Sequence, residues 1–143
     1  MTDPIRLLLA DDQQMVRAGF RLVLDAQPDM SVVGEANDGA EAVQLVDELA
    51  PDVVLMDIRM PVLDGLGATE KIMTGHPEAK ILVLTTFDLD EYVHSALRAG
   101  ASGFMLKDAG LTELLAAIRA VRDGDSVVAP SATRRLIERL SLI

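Results

Sequence analysis

Six polar residues stand where apolar runs end. Asp11 and Asp12 follow residues 5–10, Asp57 follows 53–56, Thr85 and Thr86 follow 80–84, and Lys107 follows 103–106. If those runs are strands of one sheet, three carboxylates converge, flanked by a hydroxyl and an ammonium. Three adjacent negative charges without a partner are strongly destabilising. A hard cation resolves the repulsion: Mg²⁺ takes one or two carboxylates, keeps several waters and accepts a phosphate oxygen. Lys107 adds a second positive point charge. The set suits phosphoryl transfer, with metal and Lys107 neutralising charge, a Thr hydroxyl donating to an equatorial oxygen and Asp57 attacking in line. Singly, each residue has an ordinary explanation as a helix cap, a strand end or surface charge. Together, all six fall on one rim.

The elements that must position them are legible from periodicity. Val53-Val54-Leu55-Met56 reads as a strand buried on both faces. Pro61 cannot donate to a ladder, and Asp64-Gly65 is a turn dipeptide. Residues 5–10, 30–36, 80–84 and 103–106 supply four further strands. Helices alternate with them: Val16, Phe20, Val23 and Leu24 share one face, as do Ala42, Leu45, Val46 and Leu49. Residues 66–74 and 90–99 form two more, and Leu111, Leu114, Leu115, Ile118 and Val121 mark the last. Strands alternating with helices through short connections imply an α/β fold. The expectation is a flavodoxin-like, doubly wound, five-stranded parallel sheet of order 2-1-3-4-5 with helices on both faces. In that order the first and third strands are neighbours, so Asp11, Asp12 and Asp57 meet where the winding reverses.

Composition narrows the function classes. At 143 residues the chain is of single-domain length, and without Cys it has no disulfide framework and no thiol nucleophile. No apolar run approaches the ~18 residues of a membrane span, and the amino terminus lacks signal-peptide blocks. A soluble, cytoplasmic protein that makes no membrane contact is expected. The net charge of −10 opposes binding to nucleic acid by this segment itself. His76 and His94 fall away from the strand ends and are read as surface or helix positions.

The chain resembles the receiver domain of a bacterial two-component response regulator. The matching residues are Asp11-Asp12, Asp57 with Met60-Pro61 and Asp64-Gly65, Thr85, and Lys107 after Gly103-Phe104-Met105-Leu106. The resemblance implies that Asp57 accepts a phosphoryl group from a sensor histidine kinase. It implies Mg²⁺ held by Asp12, Asp57 and the Arg59 carbonyl, with Asp11 assisting. Thr85 and Phe104 would be the switch pair and Lys107 the phosphate-binding lysine. Arg59 and Phe87, two residues past Asp57 and Thr85, would line the approach of water and slow hydrolysis. Such a domain is a phosphoacceptor whose only chemistry is its own phosphorylation and dephosphorylation.

Ala10-Asp11-Asp12-Gln13, Leu84-Thr85-Thr86-Phe87 and residues 100–108 resemble the NarL/FixJ-type subfamily. The expected division is a receiver domain over residues 1–124 and a linker over 125–143, in which Ser131 caps a short helix through Leu140. Arg134, Arg135 and Arg139 give that helix a basic cluster. One helix cannot supply a helix-turn-helix, so DNA contact would belong to an output domain beyond Ile143. Homodimerisation on phosphorylation is expected, through the fourth helix, fifth strand and fifth helix or through the first and fifth helices. The alternative is a stand-alone receiver acting only through protein contacts. A dehalogenase-like phosphatase would need a second Asp at position 59, which is Arg. A flavodoxin-like cofactor binder would need glycines and hydroxyls where Asp11-Asp12-Gln13-Gln14 would repel phosphate.

Overall fold

In the computed structural model, which describes residues 3–86 and 90–128, the apolar runs form parallel strands of one sheet. These are β1 (Ile5–Ala10), β2 (Met30–Ala36), β3 (Val53–Asp57), β4 (Ile81–Thr85) and β5 (Gly103–Leu106). Between and after them run α1 (Gln14–Asp25), α2 (Gly39–Leu49), α3 (Gly65–Gly75), α4 (Asp90–Arg98) and α5 (Leu111–Arg122). The five strands lie in the order β2-β1-β3-β4-β5, as the alternation of strand and helix requires.

A sixth short strand, β6 (Val127–Val128), extends the sheet beyond β5. Sequence reasoning placed these residues in a linker. Their cause is the turn before them. Gly124, at φ +97°, lets its own N–H reach the Val121 carbonyl while Asp125 N–H reaches that of Ala120. That is a Schellman-type stop, which needs the left-handed conformation glycine tolerates. It returns the chain to pair Val127 with Gly103 and Val128 with Phe104. The proposed helix from Ser131 to Leu140, and Phe87, lie outside the described residues.

Side-chain alternation splits the core into two layers. Leu7, Leu9, Val53, Leu55, Leu82, Leu84 and Met105 pack with Leu24 of α1 and with Leu114, Ile118 and Val121 of α5. Leu8, Ala10, Val54, Met56, Ile81, Val83 and Phe104 pack with Ala42 and Val46 of α2, Ile72 of α3, and Val93 and Ala96 of α4. Two helices therefore cover one face and three the other. Leu111, expected on the buried face of α5, is 47% exposed at the helix's first position. On α1 the fully buried side chain is Leu24, while Val16, Phe20 and Val23 are half-buried and Arg17 is buried.

Candidate functional site

The pairing register brings the strand ends together. Ala10 lies opposite Met56, so the next residues, Asp11 and Asp57, are neighbours; Thr85 lies opposite Leu106, one residue before Lys107. Asp57 continues the Val53–Leu55 side of β3, the face covered by α1 and α5. Thr85 continues the Ile81–Val83 side of β4, the face to which Phe104 belongs. Asp11, Asp57 and Thr85 are buried, Asp12 is exposed and Phe104 is completely enclosed.

Lys107 stands between two of the carboxylates. Its ammonium donates to Asp11 Oδ2 at 2.6 Å and lies 3.3 Å from Asp57 Oδ1. Its own N–H donates to the Thr85 carbonyl at 2.7 Å, which ties the lysine's backbone to the end of β4. Asp11 Oδ1 accepts from the Gln13 N–H at 2.9 Å, forming a local turn rather than capping α1 through the cap residue itself.

The electrostatics are those of an underneutralised acidic pocket. Burial pushes the Asp57 carboxyl up to about 6; the Lys107 charge pulls it down and the Asp11 charge pushes it up further. Burial also works against the Lys107 ammonium, but its hydrogen bond to Asp11 and the charges of Asp57 and Asp11 outweigh it, holding the lysine above its ordinary value. Asp11, Asp12 and Asp57 each offer an oxygen within 4.8 Å of the others, the single such acidic or histidine group among the described residues. An all-oxygen donor set in which one lysine faces two buried carboxylates fits a hard divalent cation. Asp12, Arg59 and Asp64 line one open groove.

The loop after β3 is held by close backbone contacts. Gly65 N–H donates to the Ile58 carbonyl at 2.7 Å, and Asp64 caps α3 through the Gly67 N–H. Between Pro61 and Leu63, whose carbonyl and N–H bond at 2.8 Å, Val62 takes φ +70°. This is a γ-turn conformation that a β-branched residue adopts only under strain. Gly39 N–H in turn donates to the Leu63 carbonyl at 2.9 Å and fastens the loop to α2.

Sequence reasoning passed over Arg17. Its Nη1 donates to the Asp11 carbonyl at 2.5 Å and its Nε to Glu35 Oε1 at 3.1 Å. A signal was present: Arg17 lies seven residues before Leu24, on the same buried side of the helix. His76 lies at the C-cap of α3, against Asp47 and Glu78 and away from the site.

A family model described as the response regulator receiver domain matches residues 7–119. A transcriptional regulatory protein of Bacillus subtilis (strain 168), YxjL, is 47% identical over 135 residues, covering 94% of this chain and 62% of its own. The oxygen regulatory protein NreC of Staphylococcus aureus (strain JH9) is 48% identical over 134 residues, 93% of this chain and 62% of its own. Among solved structures, a LuxR-family two-component response regulator from Aurantimonas sp. SI85-9A1 superposes with a TM-score of 0.91 at 34% identity. That match covers 97% of this chain and 99% of the other. The chain thus spans less than two thirds of the length of these curated relatives.

Proposed function

The chain belongs to the response regulator receiver domain family, of the NarL/LuxR type, and on that premise we propose that Asp57 is its phosphoacceptor. A receiver is a signalling domain rather than a classical enzyme. The observation that carries the proposal is the convergence of Asp11, Asp12 and Asp57 on one rim with Lys107 between two of them. In the transfer, a carboxylate oxygen of Asp57 forms the new P–O bond while the P–N bond of a kinase phosphohistidine breaks, the electron pair returning to the imidazole. Lys107 stands within reach of both Asp57 and Asp11 and neutralises the oxygens of the incoming group. Thr85, buried at the end of β4, supplies a hydroxyl on the neighbouring strand. Asp11, Asp12, Asp57 and the Arg59 carbonyl would hold Mg²⁺, which supplies charge neutralisation across the transferring phosphoryl oxygens.

Phosphorylation adds roughly −1.5 to −2 charges beside Lys107 and Thr85. The Thr85 hydroxyl turns toward the new oxygens and vacates space on the face it shares with Phe104. Phe104, enclosed in the present state, rotates into it and changes the surface of α4 and β5. The partners are a cognate sensor histidine kinase, a second copy of the chain and, through a helix-turn-helix domain beyond Ile143, DNA. None of the described helices is long and apolar enough to cross a membrane, and the site of action proposed is the cytoplasm.

The test is the intact mass after incubation with a small phosphodonor and Mg²⁺, beside Asp57→Asn. One phosphoryl adduct is expected, absent in the variant and with chelator. An unmodified, folded wild-type protein would leave a receiver that acts through protein contacts alone.

A further inference from the structure

Arg17 is a buried cation on a helix whose outward face is exposed, and phosphoryl transfer as described does not use it. Its guanidinium reaches out of α1 in two directions. Nη1 donates to the Asp11 carbonyl at 2.5 Å, and Nε meets Glu35 at the end of β2 at 3.1 Å. Glu35 is itself engaged by Arg21, whose Nη1 lies 2.6 Å from Oε2. Burial pushes the Glu35 carboxyl up, but the hydrogen bonds from Arg21 and Arg17 outweigh it and keep it below the ordinary carboxylate range. Of the two partners Arg17 is the buried one, so loss of Glu35 would leave the Arg17 guanidinium without its carboxylate, whereas Glu35 keeps Arg21.

What Arg17 grips is the backbone of the residue that begins the acidic turn. The Asp11 N–H is already bonded to the Ala36 carbonyl at 3.1 Å. With Arg17 on its carbonyl, both backbone polar groups of Asp11 are fixed. The carboxylate is fixed as well, Oδ1 by Gln13 N–H and Oδ2 by Lys107. Asp12 follows immediately, with an exposed side chain and no other described anchor for its position in the turn. We infer that Arg17 is a positioning residue for the cation site: anchored by Glu35, it sets the Asp11–Asp12 turn so that both carboxylates face Asp57. The inference rests on the reading of Asp11 and Asp12 as cation ligands.

A planar guanidinium can serve the carbonyl and the carboxylate together; a lysine ammonium at the end of a flexible stem carries the same charge without that fork. Arg17→Lys therefore removes the geometry and keeps the charge, which matters because deleting a cation here would by itself strengthen Mg²⁺ attraction. Two measurements are made on the full chain. In metal-free protein, amide hydrogen exchange at Gln13 is expected to quicken by about tenfold, since the Asp11 carbonyl between the turn and its acceptor carboxylate is released. By calorimetric titration with MgCl₂, affinity is expected to fall about tenfold, the scale on which loss of an outer partner weakens metal sites. A lower melting temperature with unchanged Gln13 exchange and unchanged Mg²⁺ affinity would overturn the inference and make Arg17 a packing residue. Should Arg17→Lys fail to fold, Glu35→Gln tests the same chain of contacts, with a smaller change in the same direction expected and no change overturning it. Quickened exchange with no Mg²⁺ binding even in wild type would uphold the positioning of the turn and sink the cation reading instead.

Discussion

Gly65 lies so close to Asp57 that a β-carbon at position 65 would stand 1.9 Å from the Asp57 carbonyl oxygen. No side chain yields there, because the obstacle is the backbone at the end of β3 itself. The first turn of α3 is thereby seated directly on the end of β3. Gly65→Ala must push that strand end or the helix aside. A loss on the order of 3 kcal/mol is expected, in the range of overpacked cores, together with loss of phosphoryl uptake at Asp57. Thermal denaturation and intact mass check both. A variant that melts like wild type and still takes up phosphate would show that the loop can relax.

Asp57 gives a pH signature. Its carboxyl, lifted by burial to about 6 from an ordinary 3.8, makes the folded state prefer the protonated form. That favourable contribution is complete below pH 3.8 and is lost as the pH rises through 6, so the ionised group is a cost at pH 7.5 in metal-free protein. Asp57→Asn removes the charge. The variant is expected to be more stable at pH 7.5 by on the order of 2 kcal/mol, with the gap narrowing by pH 5. Melting curves with chelator at both pH values decide; a gap that does not depend on pH would contradict the assigned burial effect.

Much of this site was legible in the sequence because strands announce themselves. Four-residue apolar runs ending in Asp, Thr or Lys place Asp57, Thr85 and Lys107 at one rim once the winding order is known. That Phe104 shares a face with Val83 and Thr85 comes instead from the pairing register of β4 with β5, which no single strand's alternation supplies. Arg17 carried a weak signal, its spacing from Leu24, but a charged residue on an amphipathic helix is ordinarily solvent-facing, and the Glu35 that makes its burial tolerable comes from β2, which the helix's own sequence does not reveal. The short strand Val127–Val128 was hidden for a different reason. Two residues carry no period, and only the left-handed turn at Gly124 turns them back onto Gly103. Gly103 permits this approach: a β-carbon there would lie 2.7 Å from the Val127 carbonyl.

Removing Lys107 should move its neighbour. The ammonium is the largest influence holding the Asp57 carboxyl down against burial. In Lys107→Met the carboxyl is expected to titrate above about 6, followed by carbon-detected NMR of the Asp57 side chain in metal-free protein. Asp11 also loses the donor on its Oδ2, so the variant should melt lower at pH 7.5 than at pH 5.5. An unmoved titration would mean that another cation takes the place of Lys107.

Val62 is 85% exposed and held at φ +70°. A β-branched residue in that region costs about 1–2 kcal/mol, and Val62 has little packing to offset it. Val62→Gly relieves the strain but loosens the unfolded chain by ~0.5–1 kcal/mol. The net expectation is a gain of roughly 0.5 kcal/mol, read as a small rise in denaturant midpoint at unchanged slope. A clear fall would show that the Val62 side chain makes contacts that outweigh its backbone strain.

The switch itself can be separated from the chemistry. Thr85 and Phe104 lie on one face of adjacent strands, Val83 pairing with Phe104 and Thr85 with Leu106, whereas Asp57, beside Lys107, continues the other face of the sheet. Thr85→Ala leaves every carboxylate and Lys107 in place, so the phosphoryl adduct at Asp57 should still form, more slowly by about an order of magnitude for loss of one donor to the transferring group. Without the hydroxyl, nothing draws the Thr85 segment toward the new oxygens, and Phe104 should stay enclosed. Amide exchange on α4 and β5, compared before and after phosphorylation, is expected to change in wild type and to stay the same in the variant. Phe104→Leu keeps the core filled but shortens the moving group, and should weaken the surface change without touching adduct formation. If Thr85→Ala shows the full wild-type change on phosphorylation, the two residues do not form a switch, and the signal must leave the site by another route, the loop from Pro61 to Gly65 being the nearest.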